Sequence, residues 1–155
     1  MLRVGFLGFG EVATVLSRPI VEHGAQVLAY DLLLEQAGGR DTLRRRAPVA
    51  GIRFQALPEL VRGADYLLST VTTQAALAVA QSCAPYLQPG QVYVDLNSTA
   101  PSVKRRIAAV VEPAGVAFVE GAILGAVGAT GVGTRILLGG EAAAAAAETL
   151  AGQGL

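Results

Sequence analysis

The chain of 155 residues has the length of one ordinary domain, and 52% of its residues are hydrophobic while 15% are charged. This excludes a disordered chain, because so much apolar surface must be buried. Basic and acidic residues number 12 each, so the net charge is zero. This argues against nucleic acid as a partner, because a nucleic-acid-binding domain normally carries a basic excess. The single Cys83 and the single His23 exclude an internal disulfide and a multi-histidine metal centre. Without a long apolar run or a cleavable leader pattern, the chain is expected to be cytoplasmic, with no membrane partner.

Short apolar runs rich in Val, Ile and Tyr alternate with longer amphipathic segments. This alternation predicts an α/β domain of the doubly wound Rossmann type, with a mostly parallel sheet and helices on both faces. The pairing of the last strands is left open, as parallel or antiparallel. The predicted strands lie at 4–7, 27–30, 66–68, 92–94, 116–119 and 136–138. The predicted helices lie near 11–23, 33–46, 57–62, 74–86, 101–112 and 141–151.

Pro19 falls inside the first of these predicted helices. Its ring should clash with the carbonyl of Val15, so we expect the helix to kink or break there. Pro58 and Pro101 instead stand at the first turn of their helices, where a missing N–H costs nothing.

The sequence Gly8-Phe9-Gly10-Glu11-Val12-Ala13 follows the first predicted strand and opens the first predicted helix. In that context a G-x-G-x-x-A sequence predicts a dinucleotide-binding loop. Gly8 permits a tight turn, Gly10 lets a pyrophosphate approach the backbone, and Ala13 allows close packing of helix on strand. The helix N-terminus offers free N–H groups to the phosphates. The alternative is a glycine-rich turn that binds nothing.

Asp31 ends the second predicted strand, near the separation from the glycine loop that is typical of a ribose-binding acid. A carboxylate there accepts hydrogen bonds from both ribose hydroxyls and repels a 2′-phosphate, which favours NAD over NADP. The alternative is an ordinary turn or cap aspartate. Arginines follow at positions 40, 44, 45 and 46. They could bind the 2′-phosphate of NADP, but a solvated helix face is the favoured interpretation.

Two further segments accompany the glycine loop. The first, Asp95-Leu96-Asn97-Ser98-Thr99-Ala100-Pro101, follows a predicted strand, and the second runs from Glu120 to Ala126, with Gly133-Thr134 beyond it. Together these motifs resemble the β-hydroxyacid dehydrogenase family, which includes 6-phosphogluconate dehydrogenase, from residue 3 to residue 150. The resemblance implies an NAD(P)-binding domain of an oxidoreductase that transfers a hydride between a nicotinamide cofactor and a hydroxyacid or sugar acid.

The resemblance also implies roles for particular residues, and no metal. The implied cofactor-binding residues are Gly8, Phe9, Gly10, Glu11, Val12, Ala13, Asp31, Thr70, Val71, Thr72 and Asn97. The implied substrate-binding residues are Ser98, Thr99, Gly125 and Ala126. The sequence departs from the family where Asn97 and Leu124 replace serines and Ala126 replaces a glycine, which leaves the substrate's identity open. Alternatives that need no ligand are a helix cap at Ser98 or Thr99, caps at Thr72 and Thr73, and a chain reversal at Gly125.

The family's catalytic lysine lies on a second, all-helical domain that this sequence does not contain. The one lysine here, Lys104, stands beside Arg105 and Arg106 and is predicted to lie on a solvated basic face. We therefore expect residues 1–155 to form one dinucleotide-binding domain that is inactive alone, of a parent enzyme that dimerises through the helical domain. Two alternatives are a non-catalytic nucleotide-binding module and a reductase of imines or semialdehydes on the same scaffold.

Overall fold

The computed structural model describes residues 1–155 as one seven-stranded sheet flanked by helices. The strands are β1 Arg3–Leu7, β2 Gln26–Tyr30, β3 Arg53–Phe54, β4 Tyr66–Ser69, β5 Val92–Asp95, β6 Ala117–Leu124 and β7 Arg135–Gly139. The α-helices are α1 Glu11–Glu22, α2 Gly39–Arg46, α3 Leu57–Gly63, α4 Ala76–Cys83, α5 Pro101–Val111, α6 Val127–Thr130 and α7 Ala143–Ala151. None of the helices combines the length and the apolar character needed to cross a membrane.

The strand order is β3-β2-β1-β4-β5-β6-β7, and every neighbouring pair is parallel except β6 with β7. The chain builds outwards from β1 to β3 and then crosses back to place β4 on the other side of β1. This reversal leaves a crevice outside the carboxyl ends of β1 and β4, where open α/β sheets bind their ligands. The predicted doubly wound architecture is confirmed, with its last pairing antiparallel.

Successive residues of the central strands point to opposite faces of the sheet and pack into two separate hydrophobic cores. In β1, Phe6 packs with one core and Leu7 with the other, and both are fully buried. Burying one such side chain contributes about 1.5–3 kcal/mol relative to leaving it exposed. Cys83 lies in the second core, and burial raises the pKa of its thiol to about 12. The central strands are therefore fixed from both faces, and the loops at their ends are held on a rigid support.

Three elements differ from the sequence-based expectation. The predicted helix at 33–46 is divided into a 3₁₀ turn, Leu32–Glu35, and α2, because Gly38 adopts a φ of +72° between them. The two-residue strand β3 was missed, since a strand that short shows no alternation. The four-residue helix α6 was missed for the same reason of length.

A kink or a break was expected at Pro19. The break is wrong, because α1 runs without interruption through this residue. Pro19 is buried and stands in the last turn of α1. Its missing N–H forfeits one bond, worth about 0.5–1.5 kcal/mol, and burial of the ring offsets that loss. The helix ends at Glu22, and the backbone N–H of the following residue, His23, donates to the Pro19 carbonyl at 2.9 Å.

Candidate functional site

Five loops meet outside the carboxyl ends of β1, β2, β4, β5 and β6, and they enclose two adjoining cavities. The first has a volume of about 420 Å³ and the second about 410 Å³, and residues Thr70, Val71 and Thr72 line both. The first cavity also contains Gly8, Gly10 and Asp31 in its wall. The second is lined in addition by Glu11, Val12, Asn97, Ser98, Gly125 and Ala126. The fold thus brings nearly all of the predicted site residues together along one crevice.

Glycine occupies positions 8 and 10 of the loop for different structural reasons. Gly8 has a φ of +85°, and a Cβ there would lie 2.7 Å from the Thr70 carbonyl oxygen and 2.8 Å from Val71 Cγ1. Its neighbour Gly10 has a φ of −90°, and a Cβ there would meet nothing within 4 Å. The protein itself therefore requires glycine at position 8, whereas no neighbouring protein atom requires it at position 10.

Phe9 anchors the loop between these glycines. Its ring is fully buried and packs edge-on to Phe54, with centroids 5.0 Å apart, and to Phe6, at 6.4 Å. The backbone N–H of Phe9 donates to Asp31 Oδ2 at 2.9 Å. Phe9 and Ala13 are both fully buried, so neither side chain can contact a ligand, and what they contribute is the fixed course of the loop.

Asp31 joins the ends of β1 and β2. Its Oδ2 atom accepts the Phe9 N–H, and its Oδ1 atom accepts the Leu33 N–H at 2.9 Å, which caps the 3₁₀ turn. The capping alternative is thus confirmed, but these two bonds do not use the full hydrogen-bonding capacity of the carboxylate. Each carboxylate oxygen can accept a second hydrogen bond, and Asp31 remains half-buried in the wall of the first cavity.

The four arginines all lie outside the wall of the Asp31 cavity. Arg40 donates to the Phe54 carbonyl at 2.8 Å and lines a neighbouring cavity of about 580 Å³. Arg44 contacts Asp41 at 3.5 Å, and the side chains at 44–46 are exposed. The favoured interpretation, a solvated helix face, is confirmed for 44–46, while Arg40 is tied to β3.

The loop after β4 is held against the glycine loop. Thr70 Oγ1 donates to the Gly8 carbonyl at 2.9 Å, and the Thr70 N–H donates to Leu7 O. The alternative that Thr72 or Thr73 caps α4 is wrong, because the cap position is Ala75 and no side chain bonds to it. The threonines at 72 and 73 are left exposed along the crevice.

A buried polar group lies behind the second cavity. Asn97 donates through Nδ2 to Asp95 Oδ1 and to Ser69 Oγ, the latter at 3.0 Å. Lys104 Nζ lies 2.7 Å from Asp95 Oδ2. The prediction that Lys104 faces solvent is wrong, because it crosses from α5 to the end of β5 and is 7% exposed. Its neighbours Arg105 and Arg106 are exposed, so the basic face exists without it.

The predicted substrate residues lie at the outer end of the crevice. Ser98 is exposed and lines both the second cavity and a further one of about 540 Å³, which Thr99 and Lys104 also line. The alternative that Ser98 or Thr99 caps α5 is wrong, since Ala100 holds the cap position without a side-chain bond. Gly125 has a φ of +110° and open space around it. The chain therefore does reverse at Gly125, and the backbone there is accessible.

Sequence reasoning missed several residues of the crevice. Ser69 and the partnership of Lys104 with Asp95 belong to no motif, so the sequence alone did not place them at the crevice. The other wall residues of the first cavity are Tyr30, Leu32, Leu57, Ala75, Val79 and Ser82. The Tyr30 hydroxyl donates to Glu35 at 2.6 Å, and burial together with that bond raises the pKa of Tyr30, so the phenol stays neutral.

This crevice offers three kinds of contact to a ligand. The start of α1 presents free backbone N–H groups beside the open space at Gly10, which suits a phosphate. The Asp31 carboxylate suits a pair of hydroxyls, and the apolar wall beside it suits a flat ring. These features fit the two phosphates, the ribose and the base of a dinucleotide.

Comparison with known proteins agrees with this geometry. The family model for the NAD-binding domain of 6-phosphogluconate dehydrogenase matches residues 3–150. A conserved hypothetical protein from Sinorhizobium meliloti 1021 is 33% identical with a TM-score of 0.92, and the match covers 100% of this chain and 52% of that one. A conserved protein of unknown function, described as structurally similar to 3-hydroxyacid dehydrogenases, is 30% identical with a TM-score of 0.84, over 99% and 55% of the two chains.

Among curated proteins, human mitochondrial 3-hydroxyisobutyrate dehydrogenase is 26% identical over 96% of this chain and 44% of its own length. The chain therefore spans about half the length of the relatives it matches. The glycine loop, the strand order and the family match agree, and the chain belongs to the family of the NAD-binding domain of 6-phosphogluconate dehydrogenase.

Proposed function

We propose that this chain binds NAD in preference to NADP, as the cofactor domain of an enzyme that oxidises a hydroxyacid or sugar acid. The observation that carries the proposal is the position of Asp31, a carboxylate fixed by two backbone N–H groups in the wall of the first cavity. The adenine ribose would lie at Asp31 and the pyrophosphate at Gly10 and the start of α1. The nicotinamide ring, which accepts or donates the hydride, would lie in the second cavity, beside Asn97.

The other predicted residues have consistent places in this arrangement. Glu11 and Val12 would contribute backbone N–H groups, since the Glu11 carboxylate is turned against Gly128. Thr70, Val71 and Thr72 would line the path between the two cavities. The substrate, a small molecule, would lie near Ser98, Thr99, Gly125 and Ala126.

Replacing Asp31 with asparagine is expected to narrow the preference for NAD over NADP. A carboxylate about 4 Å from a phosphate costs on the order of 1–4 kcal/mol at surface-like dielectric, and the amide removes that repulsion. Asparagine keeps one oxygen for a backbone N–H, so the loop loses less than with alanine. Calorimetric titration of both cofactors into both proteins measures the effect.

The matched control is Glu59→Gln, which removes an exposed carboxylate from α3 outside both cavities. It should leave the ratio of the two affinities unchanged. Tighter binding of NADP than of NAD by the unmodified chain would contradict the proposal, and Arg40 would then be the first residue to test.

The 155-residue chain alone is expected to show no dehydrogenase turnover while still binding NAD. Oxidation of a hydroxyl needs a group that takes its proton as the hydride leaves, and such help is typically worth ~10²–10⁴-fold. Lys104 cannot serve, because its ammonium is engaged by Asp95 and by two backbone carbonyls. In a parent enzyme that acid–base group, and closure of the crevice against water, would come from a further helical domain, which would also form the dimer.

The assay pairs NAD with a panel of hydroxyacids and sugar acids, with a full-length family member as the positive control. Turnover by this chain comparable to that of the control would show that it holds its own acid–base group. Reduction of an imine or semialdehyde by added NADH or NADPH, with no oxidation of any hydroxyacid by NAD, would favour a reductase instead. NAD binding without turnover in any longer form of the protein would favour a non-catalytic nucleotide-binding module.

A further inference from the structure

A charge pair is buried beneath the proposed nicotinamide end of the crevice. Asp95 is fully buried, and the side chain of Lys104 is 9% exposed. The Lys104 ammonium contacts Asp95 Oδ2 at 2.7 Å and donates to the carbonyls of Asp95, at 2.8 Å, and Gly121, at 3.2 Å. The two carbonyls take two of its N–H bonds, and the ion pair with Asp95 Oδ2 holds its charge. The ammonium therefore ties the ends of β5 and β6 together.

The other carboxylate oxygen of this pair holds Asn97. Asp95 Oδ1 accepts a hydrogen bond from Asn97 Nδ2, and Ser69 Oγ accepts a second from the same nitrogen at 3.0 Å. A carboxylate paired with an ammonium can only accept hydrogen bonds. The NH₂ end of the amide must therefore face Asp95, which leaves Asn97 Oδ1 at the opposite end.

That oxygen accepts no hydrogen bond from within the chain, and Asn97 lines the second cavity. The crevice is thus given an acceptor at a fixed position, and the buried pair determines that it is an acceptor and not a donor. If Lys104 were absent, a lone buried Asp95 could take up a proton, and a carboxylic acid both donates and accepts. The amide could then adopt either orientation.

We propose that Lys104 is a positioning residue which, through Asp95, holds Asn97 as a hydrogen-bond acceptor for the nicotinamide nucleoside. The inference rests on the proposed function, since it needs the dinucleotide to extend into the second cavity. The donor that Asn97 selects is either a hydroxyl of the nicotinamide ribose or the carboxamide NH₂ of the ring.

The test compares three probes, ADP, ADP-ribose and NAD, titrated by calorimetry into the unmodified chain and into Lys104→Met. ADP reaches only the Asp31 and Gly10 end of the crevice, so its affinity should change by less than about 2-fold. The affinity for NAD should fall about 3- to 10-fold, which corresponds to one hydrogen bond. A parallel loss for ADP-ribose assigns the donor to the ribose, and an unchanged ADP-ribose affinity assigns it to the carboxamide.

Two further variants keep the test decisive. Asp95→Asn with Lys104→Met replaces the charge pair by a neutral one, so it avoids a lone buried charge if the single variant does not fold. An asparagine at 95 can donate as well as accept, so this variant should show the same selective loss for NAD. Arg105→Met is the control, since Arg105 is exposed on the same helix.

Equal ratios of NAD to ADP affinity in the unmodified chain and in both Lys104 variants would overturn the proposal. This includes a loss of affinity that is proportional for ADP and NAD, because such a loss would show a merely structural role. If the unmodified chain binds neither ADP nor NAD, the proposed function itself fails. If it binds ADP normally and the variants alter nothing, only the role of Lys104 fails.

Discussion

Replacing Gly10 with valine is expected to lower the affinity for NAD by on the order of 100-fold while leaving the domain folded. A Cβ at this position meets no protein atom within 4 Å, and the φ of −90° suits an ordinary residue. We therefore expect the new side chain to act on a molecule bound at the start of α1 and not on the fold. Loss of binding would therefore report the ligand directly, without a folding defect to explain it away.

The control for this experiment is Gly133→Val. Gly133 also has open space around it and no positive φ, and it lies outside the two cavities. Calorimetry with NAD should therefore separate the two valine variants, whereas thermal unfolding should not. Equal affinities in Gly10→Val and in the unmodified chain would remove the phosphate site from this loop.

Replacing Gly8 with alanine is expected to have the opposite profile, a loss of about 2–4 kcal/mol in the free energy of unfolding before any ligand is added. The left-handed backbone is strained for any L side chain, and the added Cβ would press on the Thr70 carbonyl at 2.7 Å. Because that contact is with backbone, no side-chain rotation relieves it.

Gly24→Ala separates strain from collision. Gly24 has nearly the same φ, +88°, but nothing within 4 Å of its Cβ position. Denaturant unfolding should show a loss of about 1–2 kcal/mol there, from strain alone. If Gly8→Ala costs no more than Gly24→Ala, the close approach of the β1 and β4 loops is not what requires glycine at position 8.

These contrasts show what the sequence could and could not reveal. The central strands and the glycine loop were predictable, because their signals are local: apolar runs, and a motif at a strand-to-helix junction. Asp31 was predictable from its spacing, and its bond to the Leu33 N–H was covered by the cap alternative. Its bond to the Phe9 N–H was not predictable, since that bond depends on how β1 and β2 pair.

Lys104 was misplaced for the same physical reason. Beside two arginines on an amphipathic helix, a lysine is typical of a solvated face. What buries it is the carboxylate of Asp95, nine positions away in sequence, together with a carbonyl of β6. The partner left no local signal, but the spacing of Lys104 from Ile107 and Val111, which share the buried face of α5, did indicate burial.

The most direct test of the account is an NMR titration of the isotope-labelled chain with NAD. The backbone amides that shift should be those of Gly8–Ala13, Asp31, Thr70–Thr72 and Asn97, at the carboxyl ends of β1, β2, β4 and β5. The amide signals of Gly24 and Gly90, which precede β2 and β5 at the amino ends of the strands, should not shift. Shifts confined to other surfaces, or none at millimolar NAD, would contradict the claim that this crevice binds the dinucleotide.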